Sequence, residues 1–289
     1  MREFASLKLI EKGWSGDQKY RVTDGEGNEF LLRVSPKERR EKVERTFQWM
    51  KRAAGHGISI CDPIEFGECD EGVYVLQRWI DGEDAEGIIA GLQQDKQYNY
   101  GLDAGRILRK IHSLTPTEGE HNWEEFFNRK IDRKLTLYES CSLKYPDGDA
   151  LIDYIHGNRH LLRGRPVTYQ HGDYHIGNMM IDRTGKLVVI DFDRDDFGDP
   201  WEEFNRIVWC AQAAPAFARG MVDGYFDGCV PEEFWRLLAL YIAVNTISSL
   251  PWAIPFGEDE VRTMLRQEKE VMSWFDGMCE IVPSWYRKV

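Results

Sequence analysis

Two short polar clusters stand at opposite ends of one hairpin signal. They are His171-Gly172-Asp173-Tyr174-His175-Ile176-Gly177-Asn178 and Ile190-Asp191-Phe192-Asp193. Between them, Met179-Met180-Ile181 and Leu187-Val188-Val189-Ile190 flank the turn-forming Asp182-Arg183-Thr184-Gly185-Lys186, a pattern of two strands joined by a turn. Phosphoryl transfer to a hydroxyl needs a carboxylate to orient and deprotonate the acceptor. It also needs hard oxygen ligands to hold magnesium on the phosphates. The clusters supply both kinds of group. Isolated Asp and Asn residues usually serve turns and caps; here they fall in one ordered constellation.

In the protein-kinase catalytic loop, an Asp is followed five positions later by an Asn, and a second Asp arrives after a short hairpin to bind metal. Asp173, Asn178 and Asp191 repeat that order and spacing. The loop H-G-D-x-H-x-x-N, the turn I-D-x-x and the downstream Gly198-Asp199-Pro200 resemble a phosphotransferase family. That family includes aminoglycoside kinases, choline and ethanolamine kinases, homoserine kinase and macrolide kinases. The resemblance implies an α+β, two-lobed, protein-kinase-like fold, with a small N-terminal antiparallel sheet lobe carrying one helix and a larger, mainly helical C-terminal lobe. It implies Asp173 as catalytic base, Asn178 and Asp191 as ligands of Mg2+, and His171 as a structural hydrogen-bonding residue. For His175 a loop-stabilising role is expected over a contact with phosphate or substrate.

The N-terminal stretch must then hold the nucleotide, and its pattern suits a small sheet. Lys19 to Val22 and Glu29 to Val34 flank the turn Asp24-Gly25-Glu26-Gly27-Asn28, a hairpin signal. From Pro36 to Ala54 the spacing becomes helical, with Val43, Phe47, Met50 and Ala54 on one face and Gly55 and Gly57 at the end. The run Trp14-Ser15-Gly16-Asp17 to Val22 reads as a phosphate-covering loop with Ser15 near the phosphates, although it has one central glycine. Where the family places a phosphate-binding Lys, this chain has Arg33. Arg keeps the charge but is longer and planar, so its grip on phosphate differs; the alternative is a surface Arg on a half-exposed strand. Glu44 is the expected ion-pair partner of Arg33, with Glu41 as rival. In the family the base edge of ATP or GTP is read by the backbone of the lobe connector, here Gln77 to Trp79. These expectations divide the chain into a nucleotide-binding lobe, residues 1–79, and a catalytic and substrate-binding lobe, residues 80–289.

Beyond the connector the patterns are helical. Leu102, Gly105, Leu108, Ile111 and His112 form a stripe whose glycine permits close helix packing. Asp199-Pro200-Trp201-Glu202 reads as a helix start with a capping box, and Phe234 to Leu250 and Val261 to Met278 read as further helices. The six cysteines are scattered without metal-ligand spacing. No leader or membrane-spanning segment is expected, which suggests the cytoplasm.

The net charge of −12 disfavours a nucleic-acid partner. Asp193, Asp195, Asp196, Asp199, Glu202 and Glu203, with Glu258, Asp259 and Glu260, would suit a cationic acceptor if they lined its pocket. An aminoglycoside-like hydroxyl is therefore the expected acceptor. Choline, homoserine, a sugar or a macrolide are alternatives, and a nucleotide-binding pseudokinase is the reading from another class.

Overall fold

Strands with one buried face set the architecture of the first compact unit in the computed structural model, which describes residues 3–11, 16–114 and 122–287. β1 (Ser6–Ile10) pairs with β2 (Gln18–Thr23), and β2 forms the expected hairpin with β3 (Glu29–Ser35). Asp24 shapes the turn, its Oδ1 accepting the Glu26 and Asn28 N–H groups at 2.9 Å each. After α1 (Arg40–Gly55), β4 (Pro63–Cys69) and β5 (Gly72–Arg78) complete an antiparallel sheet of order β1-β2-β3-β5-β4.

The period of two decides the packing. Val22, Phe30, Leu32, Tyr74 and Leu76 bury one face, while Val73 and Val75 turn to the other and meet Val43 and Phe47 of α1. Burying each such side chain contributes roughly 1.5–3 kcal/mol. β6 (Gly82–Asp84) then pairs with Met179–Asp182, which pairs in turn with Leu187–Val189. Ile60 bridges Val189 in parallel. The hairpin between the two polar clusters thereby belongs to this unit, which comprises residues 1–88 and Gly177–Asp195.

The second unit, Ile89–Ile176 and Asp196–Val289, is mainly helical. α2 (Ala85–Ala90) is followed by α3 (Gln94–His112), α4 (Trp123–Glu139), α5 (Gly148–Asn158), α6 (Ile207–Ala213), α7 (Pro215–Phe226), α8 (Glu232–Ala253), α9 (Glu258–Trp274) and α10 (Ser284–Arg287). A two-stranded ladder joins Thr168–Gln170 to Asp196–Gly198. Trp235, Tyr241 and Trp285 are buried and belong to the core. α8 corrects one expectation: its segment Glu232–Phe256 is long and apolar enough to cross a membrane by length and composition. Most of that apolar stretch is instead buried inside the protein.

The helix start expected at Asp199 also differs. Glu202–Arg206 is a 3-10 turn and α6 begins only at Ile207. The Asp199 carboxylate is not free to cap a helix in the expected way. It accepts from Arg165 Nε at 2.7 Å and Nη2 at 3.0 Å, from Tyr241 Oη at 2.6 Å and from the Trp201 N–H at 2.9 Å. Glu202 turns away to Lys130 rather than closing a capping box.

Glycine governs the α3–α7 contact. A Cβ at Gly101 would meet Phe217 O and Gly220 Cα, and one at Gly105 would meet Met221 O and Tyr225 N. From the other side, a Cβ at Gly220 would meet Tyr98 O. The two backbones touch directly, as the glycine in the sequence stripe suggested. In an isolated helix, Gly105→Ala would gain about 1 kcal/mol of propensity. Here it should lower unfolding free energy by about 1–3 kcal/mol, because the added methyl overpacks a backbone contact. Urea denaturation followed by circular dichroism checks this; an unchanged or raised midpoint would contradict the packing.

Candidate active site

Asp173 stands in a loop of the second unit that is held mainly through its backbone. Gly172 adopts φ 85°, the left-handed region that a Cβ disfavours, and so turns the chain between His171 and Asp173. The turn aims two successive N–H groups at one carboxylate. His171 N–H donates to Glu203 Oε2 at 2.7 Å and Gly172 N–H donates to Glu203 Oε1 at 2.6 Å. Glu203 is 2 % exposed, and His112 Nε2 lies 3.3 Å from its Oε2. A buried carboxylate is costly unless its oxygens are satisfied, so loop and side chain stabilise each other.

The rest of the loop is tied down as well. His171 is fully buried and its Nδ1 accepts the Asp173 N–H at 3.2 Å, which assigns its proton to Nε2 and fits the structural role expected for it. Tyr174 Oη donates to Ala104 O at 2.7 Å, and the Ile176 N–H donates to Cys210 Sγ at 3.3 Å. The Asp173 side chain remains 21 % exposed, with Arg206 Nε at 3.1 Å from Oδ1 and His175 Nε2 at 3.9 Å. His175 also lies 6.5 Å, ring to ring, from Trp209.

Asn178 and Asp191 occupy the base of the late hairpin in the first unit. Ile190 N–H donates to Asn178 O at 3.0 Å, which brings the two positions side by side. Asp191 has φ 64° and ψ 63°, a left-handed conformation that costs a non-glycine residue of order 1–3 kcal/mol and is found at functional sites. Its Oδ1 accepts from Arg33 Nη1 at 2.8 Å. Arg33 is not a surface residue on a half-exposed strand: its side chain is 13 % exposed. It also pairs with Asp17 at 2.5 Å and lies 3.3 Å from Asp193. Burial works against its charge, but Asp191, Asp17 and Asp193 together hold the guanidinium above its ordinary pKa. Arg39 joins Asp17 at 2.7 Å and also Asp193, and Lys42 donates to Asp193 O at 2.5 Å. A cavity of about 40 Å³ lies against Asp17, Arg33, Arg39, Lys42, Thr46 and Gln77.

The expected partner of Arg33 needs correction. Glu44 pairs with Arg40 at 3.9 Å on the exposed side of α1, and Glu41 is exposed. The helix presents Lys42 and Thr46 to the cavity instead, so the anion comes from Asp17, outside the helix. Gln77 and Trp79 are also placed differently from a free connector. β5 continues to Arg78, and the Gln77 side chain is buried with Nε2 at 3.8 Å from Met50 Sδ. The Arg78 and Trp79 N–H groups donate to Asp62 O at 2.9 Å and Glu29 O at 3.1 Å, and Arg21 covers the Trp79 ring at 4.6 Å. Ser15 lies outside the described residues.

Most of the acidic residues that suggested a cationic acceptor already have partners. Asp193 is bound to Arg39, Asp195 accepts from Thr46 at 2.6 Å, Asp199 is held by Arg165 and Tyr241, and Glu202 by Lys130 at 3.0 Å. Glu258 and Asp259 pair with Arg262. Three residues carry much of this geometry: Asp17, which falls in the run expected to cover the phosphates, Glu203, and Arg206, which no sequence motif marks. Glu203 had been grouped with possible acceptor-lining acids, and the pairing that explains it spans 32 residues.

Residues 6–238 match the model of the phosphotransferase enzyme family. A relative from Enterococcus faecium, named probable ketoamine kinase, is 24% identical over 202 residues, 65% of this chain and 71% of that protein. Among solved structures, a choline/ethanolamine kinase family protein from Mesorhizobium loti aligns with TM-score 0.66 at 16% identity, covering 96% of this chain and 92% of that one. An amicoumacin kinase in complex with AMP-PNP, Ca2+ and Ami aligns with TM-score 0.66 at 13% identity, covering 97% and 91%. A thermostable mutant of an aminoglycoside phosphotransferase, in a ternary complex with ADP and hygromycin B, aligns with TM-score 0.64 at 16% identity, covering 93% and 94%. With its N-terminal antiparallel sheet, mostly helical remainder and this match over most of its length, the chain belongs to the phosphotransferase enzyme family and has the protein-kinase-like fold.

Proposed function

We propose that this enzyme transfers the γ-phosphate of ATP or GTP to a hydroxyl of a small molecule, with Asp173 as the catalytic base. The observation that carries the reading is the loop clamp. A partly exposed carboxylate stands on a backbone fixed by Glu203, His171 and Tyr174, so its direction is set before any acceptor arrives. In that position it accepts the acceptor's proton as the oxygen attacks phosphorus.

Asn178 and Asp191 are the residues that would hold Mg2+. Two hard oxygen donors on neighbouring stretches of backbone, tied by the Ile190–Asn178 hydrogen bond, suit an ion whose remaining ligands are phosphate oxygens and water. When bound, the ion neutralises charge developing on the transferred group. The left-handed backbone of Asp191 supports its assignment, since such strain persists where the surrounding structure enforces it.

Arg33 is the proposed phosphate ligand. Its Nη2 is buried and makes no hydrogen bond among the described residues, while Nε and Nη1 are fixed on Asp17 and Asp191. Nη2 also faces Asp193 Oδ1 at 3.3 Å, so three carboxylates fix the orientation of the fork, and a phosphate would compete with Asp193 for this nitrogen. Relatives named for ketoamine, choline or ethanolamine, and aminoglycoside chemistry are consistent with a small hydroxyl-bearing acceptor.

Three variants test the assignments in a coupled assay with Mg2+ and either nucleotide. Asp173→Asn should lower kcat by about 10²–10⁴-fold and leave nucleotide binding close to wild type; retained turnover would remove Asp173 as base. Glu203→Gln sets an amide donor against a backbone N–H, and should cost about 1–3 kcal/mol of stability and reduce kcat more than it changes nucleotide KM. Rescue by Glu203→Asp, even in part, would separate this positioning role from general unfolding. Arg33→Met should raise nucleotide KM by about tenfold or more through loss of a charged hydrogen bond, while Arg33→Lys should recover part of the loss. An unchanged KM in Arg33→Met would show that the phosphates are held elsewhere.

A further inference from the structure

Charges beside Asp173 run opposite to those a cationic acceptor would need. α4 presents Lys130 and Lys134 one helical turn apart, and Glu202 and Arg206 stand at the two ends of the 3-10 turn Glu202–Arg206. Lys130 Nζ pairs with Glu202 Oε1 at 3.0 Å, and Arg206 Nε pairs with Asp173 Oδ1 at 3.1 Å. Lys134 lies on the same face of α4 as Lys130, one turn along; burial first, then Lys130, push its ammonium down to about 7, while Glu202 pulls the other way and Arg206 adds to the repulsion. Burial likewise opposes the charge of Glu202, yet Lys130, Lys134 and Arg206 together hold its carboxyl below the usual range.

Lys134 forms no ion pair among the described residues. Its one hydrogen-bonding contact is Val244 O at 3.5 Å, at the outer limit for such a bond. Arg206 uses Nε on Asp173, and among the described residues its terminal nitrogens take part in no ion pair; its side chain is 24 % exposed. Three cationic side chains thus serve two carboxylates. A structural role would require only the Lys130–Glu202 pair. A lysine kept in a desolvated position with only the shared, more distant Glu202 to balance it is destabilising, and such groups concentrate at functional sites.

Resting on the phosphotransfer reading above, we propose that the acceptor is acidic: beside its reacting hydroxyl it carries an anionic group, a carboxylate or a phosphate ester, which binds Arg206 and Lys134 next to Asp173. The fork of Arg206 bridges that group and the base, which places the hydroxyl by a contact remote from the reacting oxygen. The anion also supplies the direct ion-pair partner that Lys134 does not have, Glu202 being taken by Lys130. A polycationic aminosugar would bring its ammonium groups toward Arg206 and two lysines, an arrangement that like-charge repulsion disfavours.

The test is a set of matched acceptors with Mg2+ and ATP, measured as initial rates of phosphate transfer. The pairs are gluconate with sorbitol, galacturonate with galactose, fructosyl-glycine with fructosyl-glycinamide, and glucose 6-phosphate with glucose, each differing by the anionic group, with kanamycin as a polycationic comparison. In at least one pair the acidic compound should have kcat/KM higher by about 10- to 100-fold, the worth of one charged hydrogen bond. The carboxylate and phosphate arms separate the two sources of the anion. In the Lys134→Met and Arg206→Gln variants this acid-to-neutral ratio should fall toward unity, with the Lys134→Met change expressed mainly in KM. A preference for neutral acceptors or kanamycin overturns the inference. So does failure to phosphorylate any acidic member by a protein whose nucleotide turnover requires Asp173. Nucleotide turnover indifferent to Asp173→Asn would remove the phosphotransfer reading itself, and the inference with it.

Discussion

The double acceptance by Glu203 is the constraint on which the rest of the catalytic loop depends. One buried carboxylate takes both N–H groups of the His171–Gly172 step, and the left-handed glycine is what aims them in the same direction. An ion of that kind without partners in the protein interior costs several kcal/mol. Any loop position that breaks the contact therefore carries a penalty beyond the hydrogen bonds themselves. The 3-10 turn that carries Glu203 also carries Glu202 and Arg206, so a single irregular turn fixes the backbone under Asp173 and sets the charge beside it.

The first unit answers a similar problem differently. Replacing a point-charge lysine by Arg33 introduces a planar group that can face several acids at once. α1 presents Lys42 and Thr46 to the cavity where an acidic partner was anticipated. Asp17, Asp191 and Asp193 take over that role, and Arg39 and Lys42 balance them. Three cations and three carboxylates thus form a closed local balance, which explains how so many charges share a half-buried region without strong net repulsion.

Much of this was readable from residue order. The alternation around Asp24-Gly25 and Asp182-Arg183 located both hairpins because a sheet with a buried face imposes a period of two. Gly105 announced a close helix contact because few other reasons favour glycine within an apolar stripe. The side-chain pairings were less legible. Asp199 and Glu202 fit a capping box locally, yet Arg165, Tyr241 and Lys130 claim them from distant positions. Glu44 has the right residue type and helix position, but one helical step turns it toward Arg40. Local periodicity places a backbone; which oppositely charged group meets a given side chain is decided by tertiary contacts that leave no spacing in the chain.

The composition of the first unit has a consequence for the order in which the protein forms. Its N-terminal strands leave the ribosome early, but Met179–Asp182, the partner of β6, is made about a hundred residues after it, and Val189, the partner of Ile60, 129 residues after it. Until then the five-stranded sheet can assemble, while the edge of β6 remains without its neighbour. Such an unpaired edge is a site for wrong pairing during synthesis. The hairpin that bears Asn178 and Asp191 at its base therefore also completes the folding of a unit begun much earlier in the chain.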